Sequence, residues 1–194
     1  MGRAAPAGNG ATTRTHLRGH SARESCLGGW TATKTYATQH LMSQSESRPL
    51  IAVLNGPNIN MLGLRQPHIY GSATLDDVER LCAEIAEPLG LAIDFRQTNS
   101  EGELVTWVQE CRGRAAGIVI NPAGYTTTSI ALLDALLASE VPTIEVHITN
   151  IHRREEFRQH SYVSKAAVGV ICGLGIRGYA LALQAMAEIL EERP

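Results

Sequence analysis

From Pro49 onward the apolar residues fall into blocks whose period alternates. PLIAVLN (49–55) is a continuous apolar run of strand length and predicts a buried strand. In TLDDVERLCAEIAEPLG (74–90) the period changes: Leu75, Val78, Leu81, Cys82 and Ile85 recur at helical spacing, with Thr74 placed as N-cap. The alternation then repeats. LAIDFRQTN (91–99) predicts a strand, EGELVTWVQECRGRA (101–115) a helix, and AGIVINP (116–122) a strand. TTSIALLDALLASE (127–140) predicts a helix and VPTIEVHI (141–148) a strand. A polar stretch, TNIHRREEFRQHSYVS (149–164), precedes a fifth strand, AVGVICG (167–173), and a closing helix through LALQAMAEILEE (181–192). Apolar strands alternating with helices predict an α/β domain with a parallel sheet covered on both faces. The expected architecture is a flavodoxin-like doubly wound five-stranded sheet of strand order 2-1-3-4-5, the order resting on analogy with that fold.

Residues 1–48 break the pattern. Up to Leu41 they carry Arg3, Arg14, Arg18, Arg23 and Lys34 against one acid, Glu24, and are rich in Gly, Ala, Thr and Ser. Too little of this stretch can be buried to offset chain entropy, so it is expected to be a disordered N-terminal extension before a domain at 49–194. Its Arg- and Thr-rich, acid-poor composition leaves two readings open: an organelle transit peptide, or an idle extension upstream of a start at Met42.

Composition narrows the class. The 194 residues, 44% hydrophobic and 19% charged, are those of a globular protein of one domain. No apolar run approaches the roughly 20 residues that span a bilayer, so no membrane partner is expected. A net charge of −2 without a Lys/Arg cluster gives no reason to expect nucleic acid. The four cysteines, Cys26, Cys82, Cys111 and Cys172, form no CxxC pair, which speaks against a metal site and fits a reducing cytoplasm.

The loop after the first strand is long. LNGPNINMLGLRQPHIYG (54–71) carries three Asn, an Arg and a Tyr, where a strand-to-helix connection needs roughly two to six residues. In open α/β sheets ligands bind beyond the carboxyl ends of the strands. Those ends carry Asn55, Pro57 and Asn58; Thr98, Asn99 and Ser100; Asn121; His147, Thr149 and Asn150; and Gly173 and Gly175. Five polar strand ends on one edge predict a site for a small hydroxylated ligand. A carboxylate suits the backbone N–H groups after His147. GLGIRG (173–178) has the form of a dinucleotide fingerprint, but too few residues follow it for the next strand and its acid. It is expected to serve tight turns and close packing of the last helix.

Taken together, NGPNINMLGLRQPHIYG, RQTNSEGELV, INPAGYTTTSIAL, IEVHITNIHRREEFRQHSYVS and GLGIRGYALAL, in that order over about residues 50–190, resemble the type II 3-dehydroquinate dehydratases. The resemblance implies reversible dehydration of 3-dehydroquinate to 3-dehydroshikimate, by anti elimination through an enolate, in the shikimate pathway or in quinate catabolism. It also implies no metal or organic cofactor, and a homododecamer built as a tetramer of trimers. Tyr70 matches the base and Arg65 the cation that stabilises its phenolate, since a free phenol has a pKa of about 10. His147 matches the general acid for the leaving hydroxyl. Glu145, two residues earlier on the same strand face, is placed to orient the imidazole. Asn58 resembles the residue that holds a water near the enolate oxygen. Asn121 and Arg158 match contacts to ring hydroxyls, and Ile148 and Thr149 the carboxylate site. Arg154 matches a lid arginine, and Asp134 an acid that reaches a neighbouring subunit's site. His68, His152, His160 and Glu101 are expected to be structural or exposed.

Two positions depart from the family pattern. Thr127 stands where a histidine is usual (T-T-T-S for T-H-T-S), and Leu133 where an arginine precedes Asp134. A threonine can donate a hydrogen bond to a substrate hydroxyl but cannot take up charge, and losing one such contact costs on the order of 0.5–1.5 kcal/mol. Two alternatives remain beside the dehydratase: a related lyase acting on a modified cyclic hydroxy acid, and a flavodoxin-type flavin or nucleotide module. The missing phosphate loop counts against the second.

Overall fold

The structure is a computed structural model, and it describes residues 48–64 and 72–192. The expected N-terminal extension, and with it Arg65, His68 and Tyr70 of the β1 loop, lie outside the described residues, Arg48 apart.

Each apolar block forms the element its period predicts. The strands are β1 (Leu50–Asn55), β2 (Ala92–Gln97), β3 (Gly117–Asn121), β4 (Thr143–His147) and β5 (Gly169–Cys172). The helices are α1 (Leu75–Ala86), α2 (Glu101–Glu110), α3 (Ile130–Ser139) and α4 (Arg177–Glu191). All strand pairs are parallel and the order is β2-β1-β3-β4-β5, the doubly wound topology read from the sequence.

Three helices start on hydroxyl caps. Thr74 accepts the Asp77 N–H at 3.2 Å while the Asp77 carboxylate takes the Thr74 N–H at 2.9 Å, a reciprocal capping box. Ser100 accepts from Glu103 at 3.3 Å and Ser129 from Leu132 at 2.9 Å. Such caps are worth about 1 kcal/mol each. The polar stretch after β4 winds into three short 3-10 turns, Ile151–Arg153, Glu156–Arg158 and Val163–Lys165.

Strand alternation divides the core in two. Ile51, Val53, Val119, Ile144 and Val146 face α1 and α4, where they meet Val78, Cys82, Leu183 and Met186. Ala52, Leu54, Ile118 and Ile120 face α2 and α3, where they meet Leu104, Val108, Leu132 and Leu136. Fully burying a side chain of this size contributes about 1.5–3 kcal/mol. Burial also pushes the Cys82 thiol up to about 12, making it a packing residue.

The GLGIRG segment is structural, as expected. A Cβ on Gly178 would sit 3.2 Å from Val146 and 3.4 Å from Ile171, so the glycine lets α4 lie close on the sheet. Register places Asn55 beside Asn121, and His147 beside Cys172, at the carboxyl edge. No helix among the described residues is long and apolar enough to cross a membrane.

Candidate active site

A cavity of about 200 Å³ opens at that edge. Its lining comes from the ends of β1 (Pro57–Ile59, Met61 and Leu62), β3 (Asn121, Ala123, Gly124, Thr126, Thr127) and β4 (His147–Thr149, Ile151, Arg154, Arg158). Among the described residues, three strand ends therefore build it, rather than the five expected. The residues after β2 and β5 brace it from outside. Asn99 Oδ1 takes the Asn58 N–H at 2.8 Å, and its backbone carbonyl takes the Tyr125 hydroxyl at 2.6 Å. The turn after β5 packs Gly173 against Asn150, where a Cβ would come within 2.8 Å.

The wall is tightly made. The Gly56 N–H donates to the Asn121 carbonyl at 2.8 Å, and a Cβ on Gly56 would lie 2.6 Å from the Pro122 oxygen. Only glycine allows the β1 and β3 loops to approach this closely. Asn58 (φ 65°) and Ala123 (φ 50°), both lining the cavity, hold left-handed backbone. Such strain persists where surrounding contacts over-determine it, and it clusters at functional sites.

On the α2/α3 face of the sheet, His147 and Glu145 form a buried pair. Nε2 of His147 lies 2.7 Å from Oε1 of Glu145, with the side chains 5% and 0% exposed. The carboxylate has further donors: the Thr126 hydroxyl, on Oε1, and the Ser161 hydroxyl, 3.0 Å from Oε1 and 2.9 Å from Oε2. A charge removed from water needs this many partners. With the carboxylate as acceptor, Nε2 carries the proton between the pair, and Nδ1 is the ring nitrogen left for a ligand.

On the opposite face a neutral clamp holds Asn121. The Tyr179 hydroxyl donates to Asn55 Oδ1 at 2.7 Å and accepts from Asn121 Nδ2 at 2.8 Å. Asn121 Oδ1 accepts the Ala123 N–H at 3.2 Å, which leaves one amide proton of Asn121 for a ligand. Tyr179 is fully buried, and that burial pushes its phenol well above the usual range.

Most of the candidate residues come together. Asn58, Asn121, Thr127, His147, Ile148, Thr149, Arg154 and Arg158 line the cavity, with Glu145 directly behind His147. Arg158 Nε sits 3.2 Å from Glu155 and Arg154 Nε 3.4 Å from the same carboxylate. Asp134 is not in this cavity; it is exposed on α3. The Thr127 hydroxyl donates to the Gly124 carbonyl at 3.0 Å and keeps its lone pairs for a ligand. Thr126, Ser161 and Tyr179 are supporting residues that sequence reasoning missed, while Asn99, expected at the ligand edge, supports the wall from outside.

The family model described as dehydroquinase class II matches residues 49–187, the stretch that forms the sheet and this cavity. The chain belongs to the class II dehydroquinase family. A relative in that family, "3-dehydroquinate dehydratase 2" of Pseudomonas putida, is 60% identical over 146 residues, covering 75% of this chain and 98% of that protein. A protein of the same name from Agrobacterium fabrum is 61% identical over 135 residues, covering 70% of this chain and 92% of its own. Among solved structures, the type II dehydroquinase of Propionibacterium acnes superposes with a TM-score of 0.69 at 47% identity, covering 72% of this chain and 96% of that one. The class II dehydroquinase match lies wholly outside residues 1–48.

Proposed function

We propose that this chain is a hydro-lyase that reversibly dehydrates 3-dehydroquinate to 3-dehydroshikimate. The observation that carries the reading is the buried Glu145–His147 pair at the wall of a cavity whose polar lining is amides, hydroxyls and two arginines, set among apolar residues such as Ile59, Leu62 and Ile151. Membership in the class II dehydroquinase family supports it.

Losing water beta to a ketone needs a base for the alpha proton, a partner for the enolate oxygen, and an acid for the departing hydroxide. Tyr70 takes the alpha proton as a phenolate, the role that the resemblance gives it, with the Arg65 charge stabilising that form. The electron pair moves onto the ketone oxygen, near which Asn58 holds a water. The enolate then collapses, the beta carbon–oxygen bond breaks, and the hydroxide leaves with a proton from His147. Because Nε2–H is engaged by Glu145, that proton comes from Nδ1 of the doubly protonated ring, which is left as the neutral Nε2–H imidazole. The Ile148 and Thr149 amides take the substrate carboxylate. Asn121 and Arg158 hold ring hydroxyls, Thr127 accepts from one, and Arg154 closes over the ligand. No step calls for a metal or an organic cofactor.

The subunit is proposed to assemble with copies of itself, to the dodecamer that the resemblance implies. Asp134 lies outside its own cavity on a face of α3 that also exposes Ile130 and Leu137, each 57% accessible. An acid flanked by unpartnered apolar residues suits a contact with a second copy, where it reaches that copy's substrate. A cytoplasmic setting accords with the free cysteines among the described residues, Cys82, Cys111 and Cys172.

The test is direct. Purified protein mixed with 3-dehydroquinate should form a conjugated enone, read by ultraviolet absorbance, and Tyr70→Phe should nearly eliminate that rate. A folded wild-type chain that makes no enone overturns the function. Retained turnover in the Tyr70 variant overturns the base assignment.

A further inference from the structure

Ser161 lines no part of the cavity, yet it holds the inner end of the acid. Its hydroxyl oxygen lies within 3.0 Å of both carboxylate oxygens of Glu145 and accepts the Ser164 N–H at 2.8 Å. Ser161 Oγ accepts the Ser164 N–H on one lone pair and donates its single proton to the Glu145 carboxylate. Thr126 places a second hydroxyl on Oε1, and its oxygen lies 2.8 Å from Ser161 Oγ. The Tyr162 N–H donates to the Thr126 carbonyl at 2.8 Å, fixing Ser161 against the β3 loop through its neighbour.

Glu145 can therefore present Oε1 to His147 in one orientation only while both hydroxyls are in place. We infer that Ser161 is a positioning residue for the dehydration, acting through Glu145 to set the orientation of the His147 ring. Its place in the chain adds a second consequence. Ser161 belongs to the segment after β4 that also brings Arg154 and Arg158 to the cavity. The stretch that supplies the cations thus also supports the acid, and displacing it disturbs both.

This inference rests on the dehydratase reading, and the test separates the two. Enone formation is measured for wild type, Ser161→Ala, Ser161→Thr, Glu145→Gln and the Ser161→Ala/Glu145→Gln double variant, with a thermal melt of each. An inactive wild type counts against the function rather than against Ser161. With an active wild type, Ser161→Ala should lower kcat about 10- to 100-fold and leave KM within about twofold. Ser161→Thr, which keeps the hydroxyl, should retain kcat within about threefold. On the Glu145→Gln background the alanine change should cost less than about threefold, because its effect passes through the carboxylate. If Ser161→Ala does not fold, Ser161→Cys, close in size and a weak donor, should lower kcat at least about fivefold. An unchanged kcat in Ser161→Ala, a loss confined to KM, or the same loss with and without Glu145 would each overturn the inference.

Discussion

Two strands of this sheet carry a carboxylate and a nitrogen base at the same i, i+2 spacing on the same face. On β2 it is Asp94 and Arg96, joined at 2.8 Å; on β4 it is Glu145 and His147, joined at 2.7 Å. Spacing and distance do not tell them apart. Surroundings do. The β2 pair lies on an edge strand, partly open to water, and branches into a surface network with Arg114 and Glu110, with Arg96 also over the Trp107 ring. The β4 pair is inside, its outer member facing the cavity and its inner member surrounded by hydroxyls. A pair with one partner sealed in and the other open onto a ligand site suits proton delivery. Where both reach solvent, it is a brace of modest worth.

The largest expected effect is on β4. His147→Ala should lower kcat by about 10²- to 10⁴-fold, the range in which positioned proton transfer operates. Glu145→Gln should cost about 10- to 100-fold, since an amide in that pocket must turn an N–H toward one of three donors. Steady-state enone formation reads both. Asp94→Asn should leave kcat within about twofold, and a comparable loss there would erase the distinction between the pairs.

A smaller effect sharpens the contrast from the other side of the sheet. Tyr179→Phe removes the hydroxyl that bridges Asn55 and Asn121. It should raise KM by about 2- to 10-fold with less change in kcat, because the clamp orients Asn121, proposed to bind substrate, rather than His147, the proposed acid. An unaltered KM would show that Asn121 needs no such support.

The smallest effect concerns stability. The guanidinium of Arg96, with Arg114 beyond it, holds the Asp94 carboxyl below its ordinary value of 3.8. The folded value is the lower one, so the pair's contribution is complete above the unfolded value and is lost as pH falls through the folded one. Asp94→Asn should therefore cost about 0.2–1 kcal/mol at neutral pH, with the difference closing below pH 3.8. Denaturant melts at neutral pH and in acid check this, and a gap that widens in acid would reverse the assignment.

The periodicity of the chain carried the fold because each element is governed by local facts. Val78, Cys82 and Ala86 fall on one helical face, Thr74 caps it, and apolar runs leave β1 and β3 no exposed side, while β4 alternates apolar and polar residues yet is buried throughout. The lining residues were legible for a related reason: a doubly wound sheet sends its strand ends to one edge. The brace was not. Ser161 meets Glu145 across 16 residues of polar turns, and Tyr179 meets Asn55 across 124, separations at which no local pattern assigns partners. Tyr179 reads in sequence as a core aromatic on α4, and Ser161 as one polar residue among many. Thr127 shows a similar limit, since only the fold reveals that Gly124 has already taken its proton.

The most direct measurement is the enone progress curve with 3-dehydroquinate, run side by side on wild type, Glu145→Gln and Asp94→Asn at equal concentrations of folded protein. Product from wild type and Asp94→Asn at like rates, with Glu145→Gln slower by about 10- to 100-fold, is the expected result. No product from wild type, or equal rates from all three, would contradict the assignment of the buried β4 pair as the proton-delivering centre of a dehydratase.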